Sequence, residues 1–399
     1  MTSAPTDTCG VTFILATHNR REVLLETLSH LRECGLQENH REVFVVDNAS
    51  TDGTAAVLAE RYPEVRVLAL PDNRGSCAKG LALPHAKFRY VMFLDDDSWP
   101  LGDSVLRMVD RLESMPSLAA AGFVARLPDG RMECSAMPGV FIGCGVGFRR
   151  DALLRVGGID AWFFMQAEEY DLAFRLVNAG YQVRVFDDLA VRHLKTPQAR
   201  YRAPVAYYDI RNNVVLVCRY LRQPWLGVYL ADWVQRYAWL SRAADCSRAY
   251  LRGLAAGLWR ATRDRLSGRF ETLSPRAFER FFCIKKVETE MAKLHERGVR
   301  RVLLSDLGKN VFAFWRAAAV LGIQTVAIAD DRLASPDGRR YRGTPILSTT
   351  EALTRDFDAV VVSNTSYVHA AERAHFLRSL TDRPVYDWFG RAPTGGAES

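Results

Sequence analysis

Four short apolar runs between residues 11 and 97 each end abruptly in a polar turn. Apolar residues at helical spacing separate the runs, so strands and helices alternate along the chain. This alternation predicts an α/β fold with a doubly wound, mostly parallel sheet whose strands are buried on both faces. In such sheets, ligands bind at the carboxyl ends of the strands. The runs occupy residues 11–20, 42–50, 65–70 and 90–97.

The fourth run reads YVMFLDDDSWP and ends in three adjacent carboxylates, Asp95, Asp96 and Asp97. Adjacent carboxylates repel one another, which raises their pKa values unless a cation lies among them. Carboxylate oxygens suit Mg²⁺ or Mn²⁺, and Mg²⁺ is usually held by one or two carboxylates together with substrate phosphates. A solvated acidic turn that caps the next helix is the alternative. The run by itself leaves both interpretations open.

The composition limits the class of protein. The 399 residues are 48% hydrophobic and 25% charged, which predicts a globular protein with more than one core. The sequence has no uninterrupted run of 18 apolar residues and does not begin with the pattern of a secretory signal, so we expect a cytoplasmic protein. The eight cysteines form no CxxC pair, and the sequence therefore predicts neither a zinc site nor disulfide bonds.

Positive charge is concentrated in the middle of the chain. The net charge is +7, and residues 195–285 contain 17 Lys and Arg against 6 Asp and Glu. One helical face in this segment is apolar, which predicts either peripheral contact with an anionic membrane surface or packing against neighbouring domains. No nucleic-acid motif accompanies the charge, so we expect no nucleic-acid partner. The face consists of Leu226, Tyr229, Leu230, Trp233, Val234, Tyr237 and Leu240.

Seven motifs occur in a characteristic order. ATHNR, VVDNASTDGT, DNRG and FLDDD come first, followed by GVFIGCGVGFRRDALLRVGGID, FFMQAEEYDLAFRLVNAGY and VRHLKT. In this order and at these spacings, they resemble the family 2 glycosyltransferases with the GT-A fold. The resemblance covers roughly residues 10–220, and the helical sequence from Pro204 resembles rhamnosyltransferase-like members.

The resemblance implies a metal-dependent, inverting transfer of a sugar. The donor would be a nucleotide-diphosphate sugar of the UDP, dTDP or GDP type, and the acceptor a hydroxyl of a cell-surface glycan or glycolipid. Asp95 and Asp97 match the DXD motif, so the resemblance assigns a Mg²⁺ or Mn²⁺ ion to Asp95, Asp97 and His193. The residues that it assigns to the nucleotide pocket are Thr17, Arg20, Asp47, Asn73, Gly75, Lys79, Asp95 and Asp96.

Several of these assignments have a structural alternative. Asp47 could stabilise a turn, because Asp and Asn are common at such positions. His193 follows a basic residue and could be an ordinary surface or core histidine, although imidazole suits Mn²⁺. Asp52 is interpreted as structural, and Thr51 or Asp52 is predicted to cap the following helix.

The sequence AEEYD is the candidate for acceptor activation. The family has an acidic pair here whose second member is the general base, which implies Glu169, with Glu168 as the alternative. A carboxyl group held beside another in a cleft has a raised pKa, and this suits a base that works near neutral pH. The alternative is a helix N-terminus enriched in acidic residues.

Two further features are predicted near the acceptor. The glycine-rich FIGCGVGF resembles a strand and turn in which small residues leave room for a sugar ring. Trp162, Phe163 and Phe164 could provide a stacking face, although an aromatic cluster is more often part of a core.

The pattern changes near Gly298, where strands and helices alternate again. We predict a small Rossmann-like domain, but its loop SDLGKN lacks GxGxxG, so a dinucleotide ligand is doubtful. Ligand binding, oligomerisation and regulation remain open for this domain. The predicted organisation is a leader (1–10), a GT-A domain (11–220), a basic helical segment (221–297), the Rossmann-like domain (298–391) and a disordered tail (392–399).

Two other functions compete with glycosyl transfer. Sugar-nucleotidyltransferases use a similar fold and metal. They are expected to have a glycine-rich signature near the N-terminus of the chain, and ATHNR contains no glycine. A non-catalytic sugar-nucleotide-binding protein, built around the C-terminal domain, is the second alternative.

Overall fold

The computed structural model describes residues 10–195 and 202–387. The predicted leader up to residue 9 and the predicted tail lie outside these ranges. The chain divides into two compact units. The first comprises the chain up to Glu133 and from Gly139 to Ala277, and the second comprises Cys134–Pro138 and the chain from Phe278 onward.

The first unit is an α/β structure. Its strands are β1 (Val11–Thr17), β2 (Arg41–Asp47), β3 (Arg66–Ala69), β4 (Tyr90–Asp95), β5 (Ser98–Pro100), β6 (Leu118–Arg126), β7 (Met132–Glu133), β8 (Val146–Arg149) and β9 (Gln182–His193). Its helices are α1 (Arg21–Arg32), α2 (Thr54–Arg61), α3 (Lys79–Ala82), α4 (Ser104–Ser114), α5 (Arg150–Arg155), α6 (Glu168–Asn178), α7 (Ala203–Tyr220), α8 (Trp225–Ala243) and α9 (Ser247–Leu266).

The strands form one sheet in the order β3-β2-β1-β4-β8-β6-β9-β5, with β7 paired to β6. Strands β2, β1 and β4 are parallel neighbours, and their register aligns Thr17 with Asp47 and Ala16 with Asp95. The polar strand ends therefore lie at one edge. Beyond β4 the sheet is mixed, because β8 runs antiparallel to both β4 and β6. The predicted α/β class with a doubly wound sheet is confirmed.

The central strands are buried because apolar residues cover both of their faces. In β1, residues 11–15 are all buried, and in β4, residues 90–94 are. Phe13 and Leu15 pack in one core with Met92 and Leu94, together with Leu24 of α1. Burial on both faces is the property that the continuous apolar runs predict.

The predicted N-cap of the second helix is wrong. Helix α2 begins at Thr54, and Gly53 occupies the N-cap position with φ 83°. The carboxylate of Asp52 accepts hydrogen bonds from the backbone N–H of Thr54 at 3.2 Å and from that of Arg21 at 3.0 Å. Asp52 therefore holds the turn, as its structural interpretation expects.

The long helices α7, α8 and α9 pack together in the first unit. The predicted apolar face of α8 points inward for the most part, since Tyr229, Trp233, Tyr237 and Leu240 are buried. Of the two interpretations of that face, packing within the protein therefore accounts for these four residues. In the part of the chain that the structure describes, no helix is both long enough and apolar enough to cross a bilayer.

The second unit contains another α/β sheet. Its strands are β10 (Arg301–Ser305), β11 (Gln324–Ala329), β12 (Arg340–Tyr341), β13 (Thr344–Leu347), β14 (Ala359–Val362) and β15 (Val385–Tyr386), in the order β12-β13-β11-β10-β14-β15. The remaining helices are α10 (Pro275–Phe282), α11 (Ile284–Glu296), α12 (Val311–Val320), α13 (Thr349–Leu353) and α14 (Tyr367–Arg378). All pairings in this sheet are parallel except β12 with β13.

Candidate active site

The three carboxylates at the end of β4 have different partners. Asp96 is buried, and it accepts hydrogen bonds from Thr17 Oγ1 at 2.8 Å and Arg20 Nη1 at 2.6 Å. Burial raises the pKa of Asp96 to about 6, although Arg20 and Thr17 oppose the rise. Thr17 and Arg20, which were assigned to the nucleotide pocket, therefore hold this carboxylate in place.

Asp97 lies between two cationic groups. Arg20 Nη2 donates to Asp97 Oδ2 at 2.8 Å, and His193 Nε2 lies 3.4 Å from Asp97 Oδ1. The pairing of β5 with β9 explains this proximity, because it places Ser98 opposite His193. Burial alone would raise the pKa of Asp97, but His193 and Arg20 lower it to about 2. Burial alone would likewise lower the pKa of His193, but Cys144 and Asp97 raise it to about 11.

Lys79 is a buried cation beside the third carboxylate. Its ammonium group donates to Asp95 Oδ1 at 2.8 Å and to the carbonyl oxygen of Gly143 at 3.0 Å. The Lys79 side chain is 3% exposed, whereas that of Asp95 is 37% exposed. Burial alone would lower the pKa of Lys79, but Asp95 raises it above its ordinary value. Lys79 therefore compensates Asp95 while leaving that carboxylate accessible from solvent.

The residues around Asp95 fit a divalent cation. Ligand atoms of Asp95, Cys144 and His193 lie within 4.8 Å of one another, and Asp97 adjoins His193. Burial raises the pKa of the Cys144 thiol, which disfavours the thiolate needed for metal binding. The two carboxylates remain as donors, and the imidazole of His193 could join them only after a bound cation displaces its proton. Such oxygen and nitrogen donors suit Mn²⁺.

Asp47 and Asn73, two of the residues assigned to the nucleotide pocket, stabilise turns. Asp47 is buried, and its carboxylate accepts a hydrogen bond from the backbone N–H of Ser50 at 3.0 Å. Asn73 Oδ1 accepts one from the backbone N–H of Gly75 at 2.8 Å. Asn48, which the sequence analysis did not single out, donates to the carbonyl oxygen of Gly75 at 3.2 Å. The end of β2 thus fixes the loop that leads into α3.

Gly75 permits a close approach between two backbone segments. It has φ 67°, and a Cβ at this position would collide with the carbonyl oxygen of Phe164. That carbonyl accepts a hydrogen bond from the backbone N–H of Cys77 at 3.2 Å. Gly75 was assigned to the nucleotide pocket, and the close neighbour that the structure shows is Phe164.

The acidic pair at the start of α6 occupies two different environments. Glu168 is buried, and its Oε1 accepts a hydrogen bond from Ser76 Oγ at 2.5 Å. Its Oε2 is buried and has no hydrogen-bond partner among the described residues. Glu169 is partly exposed, and its Oε1 lies 3.0 Å from the position that a Cβ on Gly143 would take. Only the smallest side chain leaves room for this carboxylate.

Both members of the pair have raised pKa values. Burial raises the pKa of Glu169 to about 8, and the neighbouring charge of Glu168 adds to the effect. Burial raises the pKa of Glu168 as well. Gly143 connects the pair to β4, because its carbonyl oxygen binds Lys79, which in turn binds Asp95. A partly exposed carboxyl group with a pKa near neutrality can accept a proton from a hydroxyl.

The backbone that enters α6 adopts an unfavourable conformation. Phe164, Gln166 and Ala167 have φ values of 65°, 68° and 69°, which lie in the left-handed region. Each such residue costs roughly 1–2 kcal/mol when it is not glycine. The surrounding structure must therefore hold this segment in place.

Two side chains of α7 hold the strained segment. Asn212 is fully buried, and its Nδ2 lies 3.0, 2.7 and 2.6 Å from the carbonyl oxygens of Phe163, Met165 and Gln166. Arg211 Nε donates to Asn212 Oδ1 at 2.8 Å, which orients the amide so that its N–H groups face those carbonyls. Arg211 Nη2 also donates to the carbonyl oxygen of Phe163 at 2.7 Å. We call Arg211 and Asn212 the α7 clamp.

The predicted aromatic face is largely occupied by protein contacts. Phe163 is buried, and Phe164 stacks on Tyr208 with the ring centres 4.8 Å apart. The ring of Trp162 lies 4.1 Å from the Arg211 guanidinium and 4.7 Å from that of Arg260. Of the three rings, Phe163 therefore belongs to the core, whereas Trp162 is covered by cations.

The glycines of the predicted FIGCGVGF strand have two uses. Gly143 leaves room for the carboxylate of Glu169. A Cβ on Gly147 would collide with the sulfur of Met108, and one on Gly145 would press against Val191. The last two glycines therefore serve core packing, and only Gly143 of these three opens space beside the acidic pair.

Two family models match consecutive parts of the chain. The model described as glycosyl transferase family 2 matches residues 12–135, and the one described as glycosyl transferase family group 2 matches residues 128–263. The chain belongs to the family 2 glycosyltransferases. Both models fall within the first unit and the segment that interrupts it.

Curated relatives of this glycosyltransferase match over a limited length. Poly-beta-1,6-N-acetyl-D-glucosamine synthase of Staphylococcus epidermidis is 29% identical over 114 residues, which is 28% of this chain and 27% of the relative. The synthase of the same name from Staphylococcus aureus strain COL matches with the same identity and coverage. The aligned region therefore spans about a quarter of these relatives' length.

Solved glycosyltransferase structures are also similar to the chain. The mannosyltransferase PcManGT from Pyrobaculum calidifontis, in complex with GDP-Man and Mn²⁺, has a TM-score of 0.46 and 22% identity, covering 80% of this chain and 88% of that one. TarS residues 1–349 from S. aureus, in complex with UDP, has a TM-score of 0.47 and 15% identity, covering 78% of this chain and 92% of that one.

The glycosyltransferase thus assembles most of its predicted site residues in two linked clusters. The first contains the carboxylates of residues 95–97 with Thr17, Arg20, Lys79 and His193, and the second contains Glu168 and Glu169. The sequence analysis did not identify Asn48, Ser76, Cys144 or the supporting contacts of the α7 clamp. The family resemblance places Arg211 and Asn212 in the helix that follows the catalytic domain, but no pattern in the sequence indicates what the two side chains contact.

Proposed function

We propose that this glycosyltransferase is a metal-dependent, inverting enzyme that uses a nucleotide-diphosphate sugar as donor. One observation carries the proposal: Asp97 lies between Arg20 and His193, whereas Glu169 has no ion-pair partner among the described residues, and the pKa values of the two carboxyl groups shift in opposite directions. The pKa of Asp97 is lowered to about 2, and that of Glu169 is raised to about 8. Groups whose pKa values are separated in this way are suited to different roles, one as a permanent anion and the other as a proton acceptor.

On the donor side, this chain supplies a set of fixed charges. Arg20 and Lys79 hold the carboxylates of residues 95–97 in place and limit their mutual repulsion. A divalent cation bound by Asp95, Asp97 and His193 would neutralise the negative charge that develops on the leaving diphosphate. The nucleotide would lie along the strand ends, against the pocket that the family resemblance assigns to residues from Thr17 to Asp96. The proposal does not distinguish among UDP, dTDP and GDP donors.

On the acceptor side, Glu169 takes the proton. Its carboxylate accepts the proton of the acceptor hydroxyl as that oxygen attacks the anomeric carbon from the face opposite the diphosphate, which inverts the configuration. The partial exposure of Glu169 supports this role, since a base must reach its substrate. Glu168 is buried and bound to Ser76, which supports a positioning role and makes it the alternative base.

The acceptor is proposed to be a hydroxyl of a cell-surface glycan or glycolipid. The curated relatives carry the name of a polysaccharide synthase, which supports a glycan acceptor. We propose residues 11–220 as the catalytic domain and residues 298–391 as a Rossmann-like domain whose ligand is open.

A donor screen tests the proposal. The purified chain is incubated with UDP-, dTDP- and GDP-sugars with or without Mn²⁺, and both thermal stabilisation and release of the nucleoside diphosphate are measured. We expect Mn²⁺-dependent hydrolysis of at least one donor. Asp97→Asn should abolish it, and this variant is preferred to Asp97→Ala because it preserves a polar partner for Arg20.

Three outcomes would contradict the proposal. Full activity in Asp97→Asn would show that Asp97 does not hold a metal ion that the reaction needs. Release of pyrophosphate from a nucleoside triphosphate and a sugar phosphate would instead support a nucleotidyltransferase. Tight nucleotide binding without turnover of any donor or acceptor glycan tested would favour a non-catalytic binding protein.

A further inference from the structure

Helix α9 presents an exposed apolar stripe to solvent. Leu251, Trp259 and Leu266 are 60%, 63% and 86% exposed, and Leu258 lies among them. These positions recur at intervals of seven and eight residues, so they lie on one side of the helix. Phe270, just beyond the helix, is exposed as well. An exposed series of large apolar side chains usually marks an interaction surface.

The opposite side of α9 packs against α7, which keeps the apolar stripe exposed to solvent. Gly253, Gly257 and Ala261 are buried on that side. A Cβ on Gly253 would collide with the carbonyl oxygen of Tyr207 in α7, so the two helices are in close contact. The small residues therefore hold α9 against α7, and the helix cannot rotate to bury its leucines without losing this contact.

Positive charge borders the stripe. Residues 247–270 contain six arginines and one acidic residue, Asp264. Asp264 is buried and pairs with Arg219 and Arg260, so it does not offset the outer charge. Arg263 is exposed, and its guanidinium lies 5.6 Å from the ring of Trp259. The other exposed arginines are Arg248, Arg252, Arg265 and Arg269.

We propose that this face of α9 is a docking surface for an anionic lipid bilayer. Leucine and tryptophan on one side of a helix enter the boundary between headgroups and acyl chains, and bordering arginines bind the anionic headgroups. The surface has the composition of an interfacial helix. The inference concerns binding alone and does not depend on the transfer reaction.

Two other partners are a poorer match for this face. A second copy of the chain docking by the same face would bring two arginine-bordered surfaces together, and like charges repel. A nucleic acid would meet leucines and a tryptophan at the centre of the surface, where phosphate contacts require polar groups. An anionic bilayer complements both the apolar stripe and its border.

Sedimentation with vesicles tests the surface. The full chain is mixed with vesicles of phosphatidylcholine alone or of equal parts phosphatidylcholine and phosphatidylglycerol. We expect binding to the mixed vesicles that falls at high salt, because added ions screen the arginines. In Trp259→Ser/Leu266→Ser the partition coefficient should fall about tenfold or more, because two apolar side chains no longer enter the interface.

Matched variants separate this surface from general effects. Leu106→Ser/Leu154→Ser changes two leucines that are 41% and 40% exposed on other helices, and its binding should equal that of the wild type. Arg248→Gln/Arg252→Gln should weaken binding to the mixed vesicles only. Melting temperatures should be unchanged in all three variants, since each position is exposed.

Three results would overturn the inference. One is the absence of binding to the mixed vesicles. Another is equal binding in the wild type and in Trp259→Ser/Leu266→Ser. The third is conversion of a dimer to a monomer by the same pair of substitutions in size-exclusion chromatography, which would identify a second copy as the occupant.

Discussion

The two clusters of the candidate active site are both acidic, but they are stabilised in opposite ways. At the end of β4, every carboxylate has a cationic partner: Lys79 for Asp95 and Arg20 for Asp96 and Asp97. At the start of α6, Glu168 and Glu169 have no ion-pair partner among the described residues and depend on burial beside Ser76 and Gly143. A nearby cation favours the charged form and burial favours the neutral form. At Asp97, His193 and Arg20 outweigh burial, whereas at Glu169 burial prevails. The comparison therefore distinguishes a fixed anion from a group that can exchange a proton.

The largest expected effect lies in the acidic pair at the start of α6, which has no ion-pair partner among the described residues. Glu169→Gln removes the proposed proton acceptor while keeping the shape of the side chain. We expect turnover to fall by about 10²–10⁴-fold, the usual contribution of a general base, with donor binding unchanged. Steady-state transfer rates and a nucleotide-binding titration measure the two quantities. If Glu168→Gln loses turnover and Glu169→Gln does not, the base is Glu168.

In the cluster at the end of β4, which we call the compensated cluster because each carboxylate has a cationic partner, loss of a cation should lower the free energy of unfolding. Lys79→Met removes the cation beside Asp95 and keeps most of the side-chain volume. Breaking a buried ion pair costs about 3–5 kcal/mol, and we expect the lower end because Asp95 is partly exposed. Urea unfolding at neutral pH gives the free energy of unfolding. Lys87→Met is the control, since Lys87 is exposed. A loss no greater than in this control would mean that Lys79 does not stabilise the cluster.

The α7 clamp should connect stability with activity. Asn212→Ala removes an amide whose two N–H groups are shared among three carbonyl oxygens at the strained segment before Glu169, so we expect a loss of roughly 2 kcal/mol in the free energy of unfolding. Turnover should fall by about tenfold, with the donor KM unchanged, because a misplaced base affects only the chemical step.

Asn213→Ala is the matched control for the clamp. Asn213 is also buried in α7, but its amide donates to the carbonyl oxygen of Asp209 and the hydroxyl of Tyr237 instead of to the strained segment. It should lose similar stability and keep its turnover number. Equal turnover in the two variants would show that the α7 clamp stabilises the fold but does not position Glu169.

The sequence predicted the compensated cluster better than its surroundings. The continuous apolar runs required parallel neighbours, and the register of such strands brings Thr17, Asp47 and Asp95 to one edge. The α7 clamp could not be inferred this way, because Asn212 acts on a carbonyl 46 residues away and no local pattern encodes that contact. The sequence also did not show which apolar helix faces are buried. Leucines and aromatic residues are amphipathically arranged in both α8 and α9, and only tertiary packing shows which set is buried.

The last expected effect is a pair of opposite pH dependences in the free energy of unfolding. The folded pKa of Glu169, about 8, exceeds its ordinary value of 4.5, so its contribution to stability is fully present below pH 4.5 and is lost as the pH rises through 8. The folded pKa of Asp97, about 2, lies below its ordinary 3.8, so its contribution is present above pH 3.8 and is lost as the pH falls through 2.

Unfolding experiments without metal should resolve the two slopes. Between pH 4.5 and 8, Glu169→Gln should gain stability relative to the wild type as the pH rises, because the amide does not ionise. Asp97→Asn should be less stable than the wild type at neutral pH, and this deficit should shrink as the pH falls from 3.8 towards 2. Parallel profiles for the two variants would mean that both carboxyl groups occupy the same kind of environment, and the assignment of one as anion and the other as base would lose its physical basis.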